Sequence, residues 1–296
     1  MKRNLIAAAA LLTVTLIAAC GGSGTGSNPS TTSVSGKVAD GYLVNANVFL
    51  DKNSNYQMDA GEPSTMTDAN GAYTLMIGPA DMGKYPIVAM ALKGQTLDRD
   101  TSQTVPNSFM LSMPASAMTG TVNSNFISPM STLIREKMAA NPGMNFNDAM
   151  TQLRNQMNMP AGIDMMADFV AGSQSATNAA QYQAMHATAQ QMAGLMAGQA
   201  PLVVNGSGVN QSRYRSMMAL INSNMPAIAA NAMNGQGMGS TFMTSMMSTM
   251  QAQLGAMPMT GGFTNYSGMF RNMTSQRYFW SSSGVPMTPM SGGMMR

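Results

Sequence analysis

The sequence is poor in the residues on which most catalytic and metal chemistry depends. Among 296 residues it has one cysteine, one histidine and one tryptophan, and only 9% of its residues are charged. Cys20 has no partner for a disulfide within the chain, and a cysteine-based zinc site is excluded. His186 stands alone in a segment of Ala, Gln and Met. This context indicates a residue on the polar face of a helix rather than a general base.

Other signs of an enzyme are also missing. No serine has the context of a nucleophile elbow, and no glycine-rich motif joins a strand to a helix. Asp164 and Asp168 are one helical turn apart, but acids this close are more typical of a helix start, where they suit the dipole. We therefore expect no enzymatic activity.

Acidic residues end at Asp168, and beyond it only five arginines carry charge. A nucleic-acid surface needs clustered Lys and Arg, and these arginines are widely spread. We expect no nucleic-acid partner. A sparse solvated face is the simpler interpretation, with weak attraction to anionic envelope material as the alternative.

The N-terminus has the pattern of a bacterial secretory signal. Lys2 and Arg3 precede an apolar run that ends at Ala19, too short for a comfortable membrane span. The end of the run, LIAAC, resembles the lipobox of bacterial lipoproteins, which implies cleavage after residues 1–19 and lipid attachment at Cys20. The alternative is an ordinary secreted protein with a free thiol. By the same resemblance, Gly21 after the cysteine implies the outer membrane, on either its periplasmic or its surface face.

A flexible tether of Gly, Ser and Thr follows at residues 20–33. It would hold the folded part of the protein away from the membrane.

Oxygen-bearing side chains recur in the stretch DKNSNYQMDAGEP with the spacing of a twelve-residue calcium loop. Such a loop uses positions 1, 3, 5, 7, 9 and 12, with a backbone carbonyl at position 7. Tyr56 departs from the pattern, because an EF-hand has glycine there for a sharp turn. The alternative is a polar surface turn without a metal. The spacing predicts Ca²⁺ ligands at Asp51, Asn53, Asn55, Gln57, Asp59 and Glu62.

Short runs of alternating residues surround this loop and predict a β-sandwich module at residues 34–112. An Asn-Gly pair at Asn70 and Gly71 predicts a hairpin between strands at Thr65–Thr67 and Ala72–Ile77. Together with Gly36, Tyr73 and the loop, this stretch resembles the carboxypeptidase-regulatory-like and SD-repeat B-type modules of bacterial surface proteins. That resemblance implies a calcium-stiffened, non-catalytic spacer or adhesion element.

From residue 125 the apolar residues recur at steps of three and four, which predicts a helical domain at 125–256. Ser128 and Pro129 open its first helix, and the stripes of the later helices are rich in methionine. Residues 257–296 form a Gly-, Ser- and Met-rich irregular tail with one aromatic cluster, Tyr278–Trp280. The expected fold class is α+β, with a small N-terminal antiparallel β-sandwich followed by an irregular helical domain.

The 37 methionines admit three explanations. They fill the core as Leu would, they act as renewable oxidant traps, or they bind Cu(I) through soft thioethers. The second resembles methionine-rich periplasmic scavengers of reactive chlorine that a methionine sulfoxide reductase repairs. Candidate copper pairs are Met157 with Met159, Met257 with Met259, and Met287 with Met290. The favoured hypothesis is a structural or interaction module of the cell envelope, with a membrane anchor and an envelope or surface protein as partner.

Overall fold

The computed structural model describes residues 30–119, 125–175, 177–205 and 208–258. The signal segment with Cys20, most of the tether, the aromatic cluster at 278–280 and most of the tail lie outside these ranges. From Thr31 onwards the described chain forms one compact unit. Its class is α+β, with strands in the N-terminal half and helices in the C-terminal half.

The first half contains ten described strands, most of them short. They are β1 (Thr32–Val38), β2 (Leu43–Val44), β3 (Asn47–Leu50), β4 (Ser64–Met66), β5 (Ala72–Ile77), β6 (Ile87–Ala91), β7 (Leu97–Asp98), β8 (Gln103–Thr104), β9 (Phe109–Met113) and β10 (Asn125–Ile127).

Eight α-helices follow β10 in the described chain. They are α1 (Pro129–Ala140), α2 (Phe146–Gln156), α3 (Phe169–Gly172), α4 (Ala179–Gly198), α5 (Ala200–Val203), α6 (Gln211–Ser223), α7 (Met225–Met233) and α8 (Thr241–Ala256). A small antiparallel pair of strands, β11 (Val204–Asn205) and β12 (Gly208–Val209), separates α5 from α6.

The strands of the first half pair in three sheets, ordered β10-β1-β5, β4-β3-β6-β9 and β2-β7-β8. Pairing is antiparallel except between β1 and β10, where Gly36 lies opposite Asn125 in a parallel register. A Cβ atom on Gly36 would lie 2.0 Å from the Asn125 carbonyl oxygen. Only glycine therefore lets β10, which leads directly into α1, approach β1 this closely.

The prediction of a hairpin around Asn70 and Gly71 is wrong. The chain does turn there: Gly71 has φ 69° and Asp68 Oδ1 accepts from the backbone N–H of Asn70 and Ala72. However, β4 pairs with β3, whereas β5 pairs with β1 in another sheet. The turn therefore carries the chain from one sheet to the next.

The helix α1 docks directly on the sheet edge. Ser128 caps it through a capping box: the Ser128 side chain accepts from the Ser131 N–H, and the Ser131 side chain accepts from the Ser128 N–H. The Ser131 hydroxyl donates to the Ser112 carbonyl of β9, at 2.6 Å, and Thr132 Oγ1 accepts from the Ser112 N–H at 2.8 Å. One hydrophobic cluster continues from the strands through α1 into the other helices. The β-rich and helical parts thus share a core.

Apolar residues recur at helical spacing from Tyr214 to Ile228, a pattern that predicts one helix, but this stretch forms two helices, α6 and α7. Pro226 is the second residue of α7. Because proline has no N–H to donate and its ring crowds the preceding turn, the helix restarts there instead of continuing.

Candidate functional site at the Asp51–Glu62 loop

The first half of the loop adopts the turn that the calcium-loop spacing predicts. The Asp51 carboxylate accepts from the backbone N–H of Asn55 through Oδ1, at 3.0 Å, and from that of Tyr56 through Oδ2, at 3.2 Å. Tyr56 has φ 62°, the left-handed conformation that glycine usually provides. The sharp turn therefore forms with a bulky residue in the place of glycine.

The second half of the loop is closed by its own hydrogen bonds. Asn53 Nδ2 and Asn55 Nδ2 donate to Asp59 Oδ2, at 2.8 and 2.7 Å. Glu62 accepts from the Lys52 N–H through Oε1 and from the Asp59 N–H through Oε2, at 2.7 and 3.0 Å. Burial raises the pKa of the Glu62 carboxyl, and the two N–H groups oppose that shift.

This arrangement is only partly suited to calcium. Asn53, Asn55 and Asp59 come together, and Gln57 is buried beside them. Both asparagines, however, turn amide nitrogen rather than oxygen toward Asp59. Across the described residues, no three acidic, His or Cys side chains converge as metal ligands. Calcium binding would require the two amides to rotate, and it stays a prediction.

Asp51 has a second partner that the sequence pattern does not reveal. Arg135 Nη2 of α1 lies 3.0 Å from Asp51 Oδ2, and the two side chains are 8% and 0% exposed. The Arg135 guanidinium also lies over the Tyr56 ring, 4.2 Å from its centroid, within the range of a cation–π contact. A buried ion pair thus fixes the start of the loop to the first helix.

Glu136, the next residue of α1, extends this network. The Tyr56 hydroxyl donates to Glu136 Oε1 at 2.7 Å, and the Tyr56 ring packs on Tyr214 of α6 with centroids 4.7 Å apart. Burial raises the pKa of Glu136, while the neighbouring Arg135 charge lowers it. These contacts explain how Tyr56 is held in a conformation unfavourable for its residue type. We call Asp51, Tyr56, Arg135, Glu136 and Tyr214 the loop–helix network.

Sequence reasoning missed this network because its members are far apart in the chain. One signal was present. Arg135, Glu136 and Lys137 are consecutive within an otherwise uncharged helix, and three consecutive residues span more than half a helical turn. In a helix buried on several sides, at least one of them must face the interior.

Two further polar contacts join the β-rich and helical parts. Lys37 Nζ and the Tyr42 hydroxyl both donate to Asp168 Oδ2, at 3.2 and 2.7 Å. Asp168 also caps α3 by accepting from the Ala171 N–H, so its expected place at a helix start is confirmed.

His186 of α4 makes the second contact. Its Nε2 lies 2.6 Å from Asp100 Oδ2, which also accepts from Gln190. Its ring stacks on Phe169 with centroids 5.6 Å apart. The hydrogen bond with His186 lowers the pKa of Asp100. His186 therefore connects the helical part of the fold to the β-rich part.

The structure places most of the described methionines in or against the core. In the first copper pair, Met157 is fully buried and Met159 is partly buried. Met257 is partly buried, while Met259, Met287 and Met290 lie outside the described residues. Copper binding by these pairs stays a prediction.

Comparisons with protein-family models, with curated proteins and with solved structures each returned no match. The resemblances to the lipobox and to the surface-protein modules therefore stay predictions. None of the helices in the described ranges combines the length and hydropathy needed to cross a bilayer.

Proposed function

We propose that this chain is a non-enzymatic lipoprotein of the cell envelope and serves as a rigid structural or interaction module. Its anchor is a lipid on Cys20, and its working part is the compact unit that begins at Thr31. The tether is the stretch between them, which ends before residue 33 because β1 already begins at Thr32. An envelope or surface protein is the proposed partner, at the outer membrane.

The observation that supports the proposal is that most ion pairs lie between the β-rich part and the helical part. Two of the three Lys or Arg ion pairs among the described residues, Lys37–Asp168 and Asp51–Arg135, connect the β-rich part to the helical part, and the Asp100–His186 hydrogen bond adds another link. The third ion pair, Lys52–Asp81, lies within the β-rich part. A protein with 9% charged residues thus uses them to hold its two parts in one orientation, as a spacer or docking module requires.

The anchor is tested by labelling cells with radioactive palmitate. The wild-type chain should take up the label and sediment with membranes, whereas Cys20→Ser should do neither. An unlabelled wild-type chain would remove the lipid anchor from the proposal.

Calcium is proposed to add stability to a loop already closed by hydrogen bonds. Asp51, Asn53, Asn55, Asp59 and Glu62 would hold it through side-chain oxygens and Gln57 through its carbonyl. The melting temperature should rise in calcium relative to chelator. If it does not change, Arg135 and the internal bonds alone stabilise the loop.

A second candidate function, oxidant scavenging with repair by a methionine sulfoxide reductase, is favoured by one observation. Every large hydrophobic side chain that is exposed among the described residues is a methionine: Met58, Met66, Met76 and Met233. Exposed thioethers react first with oxidants. Mass spectrometry after dilute hypochlorite should find sulfoxide at these four positions while the fold persists. Loss of structure at the first oxidations would remove this candidate.

A further inference from the structure

Lys137 of α1 is a largely buried residue whose amine has no counter-ion. The residue exposes only 5% of its surface, and within the described ranges its ammonium group has neither a hydrogen-bond partner nor an ion pair. Lys37 and Lys52, by contrast, pair with Asp168 and Asp81. Burial lowers the pKa of Lys137. The amine nitrogen is not among the fully enclosed polar atoms of the described residues, so a small molecule that enters from solvent can reach it.

The side chain lines a cavity of about 170 Å³ between α1 and α6. Glu136 and Arg215 lie in its wall with Lys137, and Leu133, Met218 and Ala219 contribute an apolar surface. Pockets for drug-sized ligands are usually about 300–1,000 Å³. This cavity therefore suits a ligand of only a few heavy atoms.

The charges around the cavity favour an anion. Glu136 already accepts a hydrogen bond from Tyr56; burial raises its pKa, and the positive charges of Arg135 and Arg215 oppose that shift. The positive charge of Arg215 balances the negative charge of Glu136. The ammonium of Lys137 is then the one unbalanced charge in the wall of the cavity. One negative charge would make the cavity neutral, and the apolar wall would accept a short hydrocarbon chain.

We propose that this cavity binds a small organic monoanion, a short-chain carboxylate whose oxygens accept hydrogen bonds from Lys137. Arg215 offsets the charge of Glu136, and Leu133 and Met218 contact the aliphatic chain. This site is separate from the structural role proposed above and does not depend on it.

Calorimetric titration of the full mature chain tests the proposal with three probes: sodium butyrate, butyramide and inorganic phosphate. Butyramide has the shape of butyrate without its charge. We expect butyrate to bind and butyramide not to bind. Equal binding of the two, or no binding of butyrate, would overturn the proposal. Binding of phosphate in preference to butyrate would overturn the assignment to a carboxylate.

Two variants locate the site. Lys137→Met keeps a long apolar side chain without the charge, and it should weaken butyrate binding about tenfold to a hundredfold, the factor expected for losing a charge-assisted hydrogen bond. The fold should tolerate the change, because it removes an unpaired buried charge. Lys93→Met, at an exposed position, should bind butyrate as the wild type does. Unchanged butyrate binding by Lys137→Met would overturn the assignment to this cavity.

Discussion

Asp40 is a buried carboxyl group whose Oδ1 has no hydrogen-bond partner among the described residues. Burial raises its pKa well above the usual value, and the nearby charge of Asp98 adds to the shift. The folded chain therefore holds a proton that the unfolded chain releases near pH 4. By linkage, this group contributes less stability as the pH rises from there through its folded-state pKa.

We predict that Asp40→Asn stabilises the protein and that the gain is larger at pH 8 than at pH 5. The amide keeps the shape of the carboxyl but cannot ionise. Urea unfolding at both pH values measures the effect. Asp148→Asn, at an exposed helix position, is the control. A gain that does not grow with pH would show that Asp40 is not the group responsible.

The loop–helix network gives a second prediction at the residue scale. Arg135→Met leaves Asp51 buried without its cation, and loss of one partner of a buried ion pair typically costs about 3–5 kcal/mol. Lys52→Met breaks a more exposed pair with Asp81 and should cost about 1 kcal/mol or less. Chemical denaturation of the two variants compares them. Equal costs would mean that the buried pair contributes no more than a surface pair.

At the scale of single elements, Gly36 decides whether β10 can pair with β1. We predict that Gly36→Ala destabilises the protein by about 1–3 kcal/mol or more, because its Cβ would overlap the Asn125 carbonyl oxygen. Gly143→Ala is the matched control, since no atom lies within 4 Å of a Cβ built there. Thermal melts of both variants measure the difference. A wild-type melt for Gly36→Ala would contradict the parallel pairing.

Elements with strong local signals were predictable from the sequence. The stripes of α2, α4 and α8 and the cap of α1 at Ser128 follow from spacings within a few residues. Pairing between strands is not local: the Asn70–Gly71 turn was visible, but nothing near it indicates that β5 pairs with β1. The strand β10 has three residues and no periodicity to detect.

In the candidate site, too, the local features were predictable from the sequence and the long-range contacts were not. The backbone turn at Asp51 was predictable because the oxygen spacing lies within one loop. Its pairing with Arg135 was not, because that partner is brought in by the packing of α1 against the sheets. The left-handed backbone conformation of Tyr56 is explained by its contacts with Glu136 and Tyr214, which are distant in the sequence.

At the scale of the whole molecule, the β-rich part and the helices share one hydrophobic cluster, two ion pairs and the Asp100–His186 hydrogen bond. Neither part would bury its apolar face alone. We therefore predict that the isolated segment 30–119, which lacks β10 and α1, does not fold. Circular dichroism and proteolysis of this segment test the prediction, with the intact mature chain as the control. A protease-resistant segment with a cooperative melt would contradict it.

Differential scanning calorimetry of the intact mature chain tests the central claim most directly. A single unit predicts one transition whose calorimetric and van't Hoff enthalpies agree, and Arg135→Met should move that transition to lower temperature without splitting it. Two separate transitions in the wild-type chain, one for the strands and one for the helices, would contradict the account.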